Sequence, residues 1–379
     1  MKKVLKITCL VLTVIIAIMV LMAGWGGHIA PSTWSLPALF TLAFVPIAAM
    51  GLVWLIVLAV LRRWILAAAM AVVMLAVWPT VRINSPLNVF SPKVDDYAQT
   101  LKVMTWNVMG FDDIHNRKQL SASMLYILEE DPDVVIMQET TLGPLDFIET
   151  PGVIELRERI EEHYPYHTRG YHDLGIMSKV PYRVYEDSTM TQGFGSIDNG
   201  RNEYHFYAKA FDIDLGDGRQ LRLLGLHLQS IGLSSSDRDL YVKLTKPGEV
   251  GQMNRAEMSQ AKNSLYGKVA SAFRRREVEA NMVRNIIDKC PPNLIVCGDF
   301  NDVPGSYSYR TIKGDDLSDA YADCAFGPTF TFNQNRLYFK IDQFMYRGDM
   351  TAVEAKCPHV GGSDHYPIVV TLKWNKSTQ

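Results

Sequence analysis

The first 94 residues contain no aspartate or glutamate, and this acid-free front is the feature that most limits what the chain can fold into. It holds three apolar runs, Ile7–Met22, Leu36–Leu61 and Ile65–Trp78. A bilayer core of about 30 Å needs about 20 apolar residues per helix. The second run reaches that length, the first is adequate, and the third reaches it if it extends at both ends. We therefore predict a membrane anchor of about three transmembrane helices over residues 1–81.

The positions of the cations predict how this anchor is oriented. Lys2, Lys3 and Lys6 precede the first run, and Arg62 and Arg63 separate the second from the third. Short cytoplasmic segments are enriched in lysine and arginine, so both groups are predicted to be cytoplasmic. A cleaved signal peptide followed by two spans is the alternative, because the lysine-rich start also suits a signal sequence. Under either interpretation we predict an integral membrane protein whose C-terminal domain is extracytoplasmic.

The remaining chain has the composition of a soluble domain. We predict a linker at 82–99, where prolines and serines are frequent, and a folded domain at 100–379. Seven of the 38 basic residues belong to the front, which leaves 31 basic against 40 acidic residues beyond it. Proteins that bind nucleic acid without regard to sequence usually carry a basic face. This acidic balance argues against tight binding to long DNA, although it does not exclude a local basic groove.

The soluble part alternates hairpins with helices. Strands joined by hairpins and interleaved with helices, without strict alternation of strand and helix, indicate an α/β sandwich with two mixed sheets. Asp217-Gly218 is a hairpin turn signal. The predicted helices are Gln119–Glu130 and Gln252–Asp288, and the predicted strands are Leu101–Asn107, Val134–Gln138, Tyr204–Ile213, Leu221–Leu228, Leu294–Cys297, Phe330–Phe332, Ile341–Met345 and Ile368–Leu372.

Short polar motifs stand at the ends of these apolar strands. Hydrolysis of a phosphoester needs charge neutralisation at the non-bridging oxygens, an activated water and help for the leaving oxygen, and together the motifs hold the side chains for this chemistry. In order they are Thr105-Trp106-Asn107, Gln138-Glu139, Leu226-His227-Leu228, Cys297-Gly298-Asp299-Phe300-Asn301-Asp302, Lys340-Ile341-Asp342 and Ser363-Asp364-His365.

Three of these side chains are predicted metal ligands. Mg²⁺ prefers oxygen ligands and takes only one or two carboxylates from the protein. Glu139 at the end of an apolar strand is the first choice, with Asn107 and Asp364 beside it and Mn²⁺ as a possible substitute for Mg²⁺. A turn residue is the competing interpretation of Asn107, because asparagine tolerates left-handed backbone.

The other polar residues are predicted to act on water and phosphate. In an extended segment Asp299 and Asn301 would point the same way, so that Asp299 could orient or deprotonate water and Asn301 could donate to phosphoryl oxygens. Neutral His365 could accept a proton with Asp342 fixing its tautomer. His227 could protonate a leaving oxygen or stabilise charge on phosphate, and which histidine is acid or base stays undecided.

Residues 100–373 resemble the endonuclease/exonuclease/phosphatase superfamily of DNase I-like proteins, most specifically in Gly298-Asp299-Phe300-Asn301 and Ser363-Asp364-His365. The resemblance implies a four-layered α/β sandwich with two mixed β-sheets and Mg²⁺ dependence. By this likeness Asn107 and Glu139 match the metal-site pair, His227 the phosphate-facing histidine, Asp299 and Asn301 the water- and phosphate-orienting pair, Asp342 the partner of the final histidine, and Asp364 and His365 the last motif.

The chain departs from the superfamily pattern in two places. Met109 stands where abasic-site endonucleases carry aspartate, and Lys340 stands where arginine is common, which keeps the charge but loses the planar fork. The presence of His227 favours the DNase- and sphingomyelinase-like branches. We therefore expect hydrolysis of phosphodiester bonds, first as a nuclease. The alternatives are a phospholipid phosphodiesterase, an inositol-phosphate-type phosphatase and, from another class, a noncatalytic scaffold.

These expectations imply a nucleic acid or a phospholipid headgroup as the phosphoester substrate, and a lipid bilayer around the front. No protein partner is inferred. Arg201 is a weaker candidate for a phosphate clamp, with an exposed turn arginine as the competing interpretation. Cys324 and Cys357 could form a disulfide in an oxidising compartment.

Overall fold

The computed structural model describes most of the chain. For residues 2, 112–114, 192–197, 202–205 and 255–264 the structure describes the backbone alone. The described residues are 2–89, 99–114, 121–140, 142, 151–169, 173–185, 192–197, 202–216, 218–232, 255–334 and 337–375.

The acid-free front is helical. Of the helices described, α1 is long and apolar enough to cross a membrane by itself, and the number rises to three if each of two bent pairs is one span. The axes of α2 and α3 differ by 76° and those of α4 and α5 by 58°. The first predicted span is thus one helix, whereas each of the other two is broken by a bend. The helices are α1 (Lys2–Trp25), α2 (Leu36–Leu42), α3 (Phe44–Val60), α4 (Trp64–Ala76) and α5 (Trp78–Asn84).

Hydrogen bonds between these helices fix which ends lie together. Nε1 of Trp25 donates to the carbonyl of Ala76 at 3.1 Å, and Oγ1 of Thr80 donates to the carbonyl of Gly24 at 2.8 Å. Polar groups within apolar surroundings need such partners. The C-terminal ends of α1 and α4 therefore meet at one end of the bundle. Arg62 and Arg63, which precede α4, lie at the other end.

The soluble part contains two mixed sheets. Among the described strands, the first sheet has the order β14-β15-β1-β2-β4-β3, and the second has the order β10-β13-β9-β8-β7-β5, with β6 paired to β7. Each sheet holds one parallel pair, β1 with β2 and β8 with β9. The strands are β1 (Thr100–Asn107), β2 (Val134–Gln138), β3 (Tyr166–His167), β4 (Leu174–Ser178), β5 (Tyr182–Tyr185), β6 (Gln192–Ile197), β7 (Asn202–Asp214), β8 (Gln220–His227), β9 (Leu294–Asp299), β10 (Ser318–Asp319), β11 (Phe332–Gln334), β12 (Leu337–Phe339), β13 (Asp342–Arg347), β14 (Met350–Lys356) and β15 (Ile368–Trp374).

Helices cover the outer faces of both sheets. The helices of the soluble part are α6 (Ala122–Glu130), α7 (Pro151–His163), α8 (Arg255–Ile287), α9 (Tyr307–Lys313) and α10 (Ala320–Cys324). One core lies between the sheets, where Val103 and Ile295 are both fully buried. A second core packs the outer face of the first sheet against α6 and α7, and a third packs the second sheet against α8 and α9. The four-layered α/β sandwich is confirmed.

The predicted strands and helices recur with small shifts at their ends. The chief exception is the segment predicted at Phe330–Phe332, which is a strand at Phe332–Gln334. The hairpin joining β7 and β8 is present, although Asp217 of its predicted turn lies outside the described residues. Strands β3 to β6, β10, β12 and β14 were not predicted.

The front packs directly on the soluble domain. Nη2 of Arg310 donates to the carbonyl of Gly24 and to Oγ1 of Thr80. The backbone N–H and the hydroxyl of Ser32 both donate to the carboxylate of Glu277, each at 2.7 Å. The first residues of the predicted linker are also held, since Nδ2 of Asn88 donates to carbonyls beside α10 at 3.0 Å. The bundle end that carries Gly24 therefore faces the soluble domain.

Candidate active site

Four predicted site residues continue the inward-facing series of their strands. Successive side chains of a strand point to opposite faces, so a polar residue in phase with a core residue faces the other sheet. The C-terminal ends of the two parallel pairs meet at one edge of the sandwich, and the site forms there. The pairs of core and polar residues are Val103 with Asn107, Leu223 with His227, Cys297 with Asp299, and Phe344 with Asp342.

Asp299 lies between two imidazole rings. Its Oδ2 is 3.8 Å from Nε2 of His227 and 3.8 Å from Nε2 of His365. Nδ1 of His227 donates to Asp173 at 2.8 Å, and Nδ1 of His365 donates to Asp342 at 2.9 Å. A carboxylate on one ring nitrogen fixes the ring orientation and leaves the other nitrogen for chemistry. Both free Nε2 atoms thus point toward the same carboxylate.

The charges of this cluster shift the pKa of each member. Burial lowers the pKa of His227, but its hydrogen bond to Asp173 and the nearby carboxylates outweigh burial and raise the pKa to about 9. Burial likewise opposes the effect of Asp342 and Asp299 on His365, whose pKa rises to about 10. Burial and the charge of Asp342 raise the pKa of Asp299 to about 6, although the charges of His365 and His227 act to lower it. The carboxylates thus favour the protonated form of both imidazoles, whereas burial and Asp342 make the carboxylate of Asp299 more basic than that of an ordinary aspartate.

Asn107 connects the two sheets at this edge. Its Nδ2 donates to Glu139 at 2.9 Å and to Asp299 at 3.2 Å, while its Oδ1 accepts from the N–H of Met109 at 3.1 Å. In this orientation the amide holds two carboxylates rather than offering its oxygen to a metal. Turning the amide over would place three oxygens together, an arrangement that a cation between them would stabilise.

The backbone at Glu139 and Asn301 is held in the left-handed region. Their φ angles are +64° and +49°. Such conformations cost about 1–3 kcal/mol each and concentrate at functional sites. The expectation that Asp299 and Asn301 lie in one extended segment is wrong, because β9 ends at Asp299 and the N–H of Asn301 turns back to Oδ1 of Asp299 at 2.7 Å. Both side chains nevertheless line the same cavity.

Gly298 allows β8 and β9 to approach closely beside the site. Its φ is +140°, and an added Cβ would lie 2.0 Å from the carbonyl oxygen of Leu226. A side chain there would push the strands apart. The glycine before Asp299 therefore keeps that carboxylate beside His227, its partner in the register of the parallel pair.

The Ser-Asp-His motif is attached to the end of β1. Oγ of Ser363 donates to the carbonyl of Asn107 at 2.7 Å and accepts from the N–H of His365 at 3.1 Å. Nε1 of Trp106 donates to the carbonyl of His365 at 2.9 Å. These bonds hold the backbone of His365 rather than its imidazole ring. Asp364, which lies between Ser363 and His365 in the sequence, lines the cavity.

A cavity of about 780 Å³ opens in front of these groups. Asn107 and Asp342 lie behind its surface and are buried. We call two sets of its lining residues the polar wall and the apolar wall; Tyr207, Gln229, Ser230 and Tyr266 also line the cavity. The polar wall consists of Glu139, Asp173, His227, Asp299, Asn301, Asp364 and His365. The apolar wall consists of Leu39, Leu42, Ile231, Leu265, Val269, Phe332, Leu337 and Phe339.

Two groups of ligands could hold a divalent cation. In the part of the chain that the structure describes, ligand atoms of Asp299, Asp342 and His365 lie within 4.8 Å of one another. In that group the bond between Asp342 and His365 already occupies one ring nitrogen. The predicted group of Asn107, Glu139 and Asp364 offers oxygen atoms alone, and Glu139 is exposed. Oxygen ligands are those that Mg²⁺ prefers.

Sequence reasoning missed Asp173. This residue immediately precedes the apolar run Leu174–Ser178, and that position was the available signal. Lys340 faces away from the polar wall, because its Nζ donates to Gln343 at 2.8 Å and lies 3.8 Å from Asp319. Arg201 lies outside the described residues.

Cys324 and Cys357 carry free thiols in the structure. The thiol of Cys324 donates to the carbonyl of Ala320 at 3.1 Å, and that of Cys357 to the carbonyl of Phe330 at 3.6 Å. The disulfide considered above between these two cysteines is therefore not formed in the structure.

Comparison with known proteins gives one partial relative and several structural likenesses. A DNA-(apurinic or apyrimidinic site) endonuclease of Dictyostelium discoideum is 27% identical over 97 residues, which span 24% of this chain and 23% of that protein. The match thus covers less than a quarter of that relative's length.

Solved structures with a similar fold include two from different organisms. An endonuclease/exonuclease/phosphatase family protein from Bacteroides thetaiotaomicron is 14% identical, covers 74% of this chain and 100% of its own, and has a TM-score of 0.44. The human Nocturnin catalytic domain with bound sulfate anion is 16% identical, with 74% and 97% coverage and a TM-score of 0.44.

The sequence profile of one family spans the whole site. The profile described as "Endonuclease/Exonuclease/phosphatase family" matches residues 104–365, more than half of the chain, and includes every predicted site residue from Asn107 to His365. The chain belongs to the endonuclease/exonuclease/phosphatase family.

Proposed function

We propose that this protein is a membrane-anchored, Mg²⁺-dependent hydrolase of phosphodiester bonds. The observation that carries the proposal is the position of Asp299 between the free nitrogens of two histidines, each aligned by its own carboxylate. This arrangement joins a proton acceptor to two proton donors at the edge of one cavity. A scaffold without catalytic activity would have no need of it.

The residues present fit a divalent cation. Glu139, Asp364 and the oxygen of a turned Asn107 amide would hold it, with Mn²⁺ as a substitute for Mg²⁺. Such a cation polarises the phosphoryl group and neutralises charge that develops on its oxygens. It would also offset the repulsion between a phosphate and the acidic side chains of the polar wall.

The chain's own residues then have separate roles. The carboxylate of Asp299 orients water and accepts its proton, because burial and the charge of Asp342 raise its pKa and its Oδ1 is held by the N–H of Asn301. His227 and His365 donate to the phosphoryl and leaving oxygens through Nε2. The water oxygen bonds to phosphorus, one ester P–O bond breaks, and the departing oxygen takes a proton from an imidazolium.

The anchor is proposed from the length and composition of the front. Lys2, Lys3, Lys6, Arg62 and Arg63 cluster at the bundle end opposite the soluble domain, which supports cytoplasmic cations and an extracytoplasmic active site. In intact spheroplasts of a bacterium that expresses the full chain, added protease should digest the soluble domain. Protection of that domain until the membrane is opened would contradict the orientation.

Two substrate classes follow from these properties. Nucleic acid is the expectation from the resemblance, and the partial match to an abasic-site endonuclease agrees with it. A phosphoester that carries an apolar group is the second, and the apolar wall of the cavity specifically favours it.

The proposed chemistry is tested with a substrate that prefers neither class. The full chain in detergent should hydrolyse bis-p-nitrophenyl phosphate when Mg²⁺ is present and stop when EDTA is added. The variant Asp299→Asn, which keeps the shape of the side chain but not its basicity, should lose this activity. Hydrolysis by Asp299→Asn at the wild-type rate would refute the assigned role.

A further inference from the structure

We propose that the phosphoester taken by this site is a membrane lipid, with its phosphate at the polar wall and its acyl chain against the apolar wall. This inference rests on the proposed function, including the membrane anchor, and deepens it. The hydrolysis is the one already described, in which water supplies the oxygen, one P–O ester bond of the lipid breaks, and the alcohol leaves with a proton.

The apolar wall is assembled from both parts of the molecule. Leu39 and Leu42 come from α2 of the front, whereas Leu265 and Val269 come from α8 of the soluble domain. The two helices touch, since Ala38 packs with Val269 and the buried ring of Phe273. A catalytic site for small phosphates would gain nothing from a wall of this kind. The cavity of about 780 Å³ also exceeds what a phosphoryl group fills.

The apolar wall is directly connected to a helix of the predicted membrane anchor. One residue separates Leu42 from α3, which is apolar along its length and meets α2 at 76°. If α3 follows the bilayer normal, α2 lies close to the plane of the membrane surface. Trp25 and Trp34 are 49% and 50% exposed at this end of the bundle. Exposed tryptophans favour the membrane interface, so the wall and the lipid headgroups lie at one level.

The charges around the cavity favour a lipid over a nucleic acid. Among the described residues that line it, none is lysine or arginine, and Glu139, Asp173, Asp299 and Asp364 are acidic. A nucleic acid extends as a chain of charged phosphates on both sides of the cleaved bond and needs cations there. A lipid presents one phosphate to the polar wall and a hydrocarbon chain beyond it, which matches the two walls.

A homologous series of substrates tests the inference. p-Nitrophenyl alkyl phosphates with tails of one to eight carbons share one reacting group and differ only in apolar length. With the full chain in nanodiscs and Mg²⁺ present, kcat/KM should rise by up to about fourfold for each methylene that is fully buried, and level off once the tail outgrows the wall. A flat series would overturn the inference.

Variants of α2 connect this rise to the wall. Leu42→Ala should reduce the ratio of octyl to methyl kcat/KM by about fivefold or more, because it removes apolar surface. Leu42→Met, which keeps the apolar volume, should retain most of the ratio and guards against a folding defect. Leu125→Ala, a change at an exposed leucine of α6 outside the cavity, is the matched control. An unchanged ratio in Leu42→Ala would contradict the proposal.

Natural substrates provide the last arm. Vesicles of phosphatidylethanolamine and phosphatidylglycerol, incubated with the reconstituted chain and Mg²⁺, should release a lipid hydrolysis product. Single-stranded and duplex DNA, whose leaving group is an unactivated alcohol as in the lipids, should be cleaved with lower kcat/KM than the vesicle lipids, and faster cleavage of DNA would overturn the inference. Loss of Mg²⁺-dependent turnover toward every substrate, the methyl ester included, would instead refute the proposed function.

Discussion

The two walls of the cavity are built in opposite ways. The polar wall stands on strand ends, and its central group, Asp299, is 1% exposed and held by hydrogen bonds from Asn107 and Asn301. The apolar wall is formed by α2 and α8 together with Ile231, β11 and β12, and Leu39 and Leu42 are only partly buried. A rigid edge of two sheets can align reacting atoms, whereas a helix contact can accept tails of different lengths. Changes in the polar wall should therefore affect all substrates equally, and changes in the apolar wall should affect selectivity.

The largest effect is expected at Glu139. Glu139→Ala should lower kcat by about a thousandfold or more for every ester, because loss of the cation removes several kcal/mol of transition-state stabilisation. Glu129→Ala, a change at an exposed glutamate of α6, is the control. Mg²⁺-dependent rates that equal those of the wild type would show that the cation is held elsewhere. Loss of activity in Asp342→Asn would not show whether the cation is held by the group that contains Glu139 or by the group that contains Asp342. Titration of the metal by calorimetry must therefore accompany the rate measurements.

The next effect is expected at His365. His365→Ala should reduce kcat by about a hundredfold or more through the loss of a positioned proton donor. The reduction should be the same for methyl and octyl esters, because the ring belongs to the polar wall. His163→Ala, at a histidine of α7 whose ring bonds Asp131, is the matched control. A reduction of kcat for the octyl ester alone would contradict the assignment of His365 to the polar wall's effect on all substrates.

A smaller effect with a distinct pH signature is expected at Asp173. The pKa of His227 is raised to about 9, so its imidazole carries a proton below that pH and loses it above. Activity that needs this proton should fall as pH rises through about 9. Asp173→Asn removes the charged partner, lowers the pKa of His227 and should move this alkaline limb to lower pH. If the alkaline limb of the pH–activity profile stayed at the same pH, His227 would not be the group whose deprotonation lowers the activity.

The smallest effect is expected where the front meets the soluble domain. Glu277→Gln weakens the two hydrogen bonds from Ser32, and bonds to a charged group contribute about 1.5–3 kcal/mol when shielded but less at an exposed position. We expect a fall of a few degrees in the thermal unfolding midpoint and less than a threefold change in the octyl-to-methyl ratio. A change of selectivity larger than that in Leu42→Ala would place the control of the apolar wall at this contact.

Much of the site could be predicted because strand alternation is a local property. Asn107, His227 and Asp299 end apolar strands and Asp342 begins one, all in the phase that turns them toward the other sheet. The relation of Asp299 to Asn301 was predicted wrongly, since a left-handed turn residue leaves no clear trace in an apolar pattern. Asp173 was missed because its significance depends on its contact with His227, 54 residues away.

The sequence alone determined the division into an apolar, acid-free front and a soluble domain, and the sequence motifs alone indicated phosphoester chemistry. Both properties are local, since composition and spacing act over a few residues. Only the tertiary structure brought Asp299 between His227 and His365, and Leu39 beside Val269. These contacts join residues that are 66 to 230 positions apart in the sequence, and they depend on how whole sheets and helices pack, which short-range patterns do not encode.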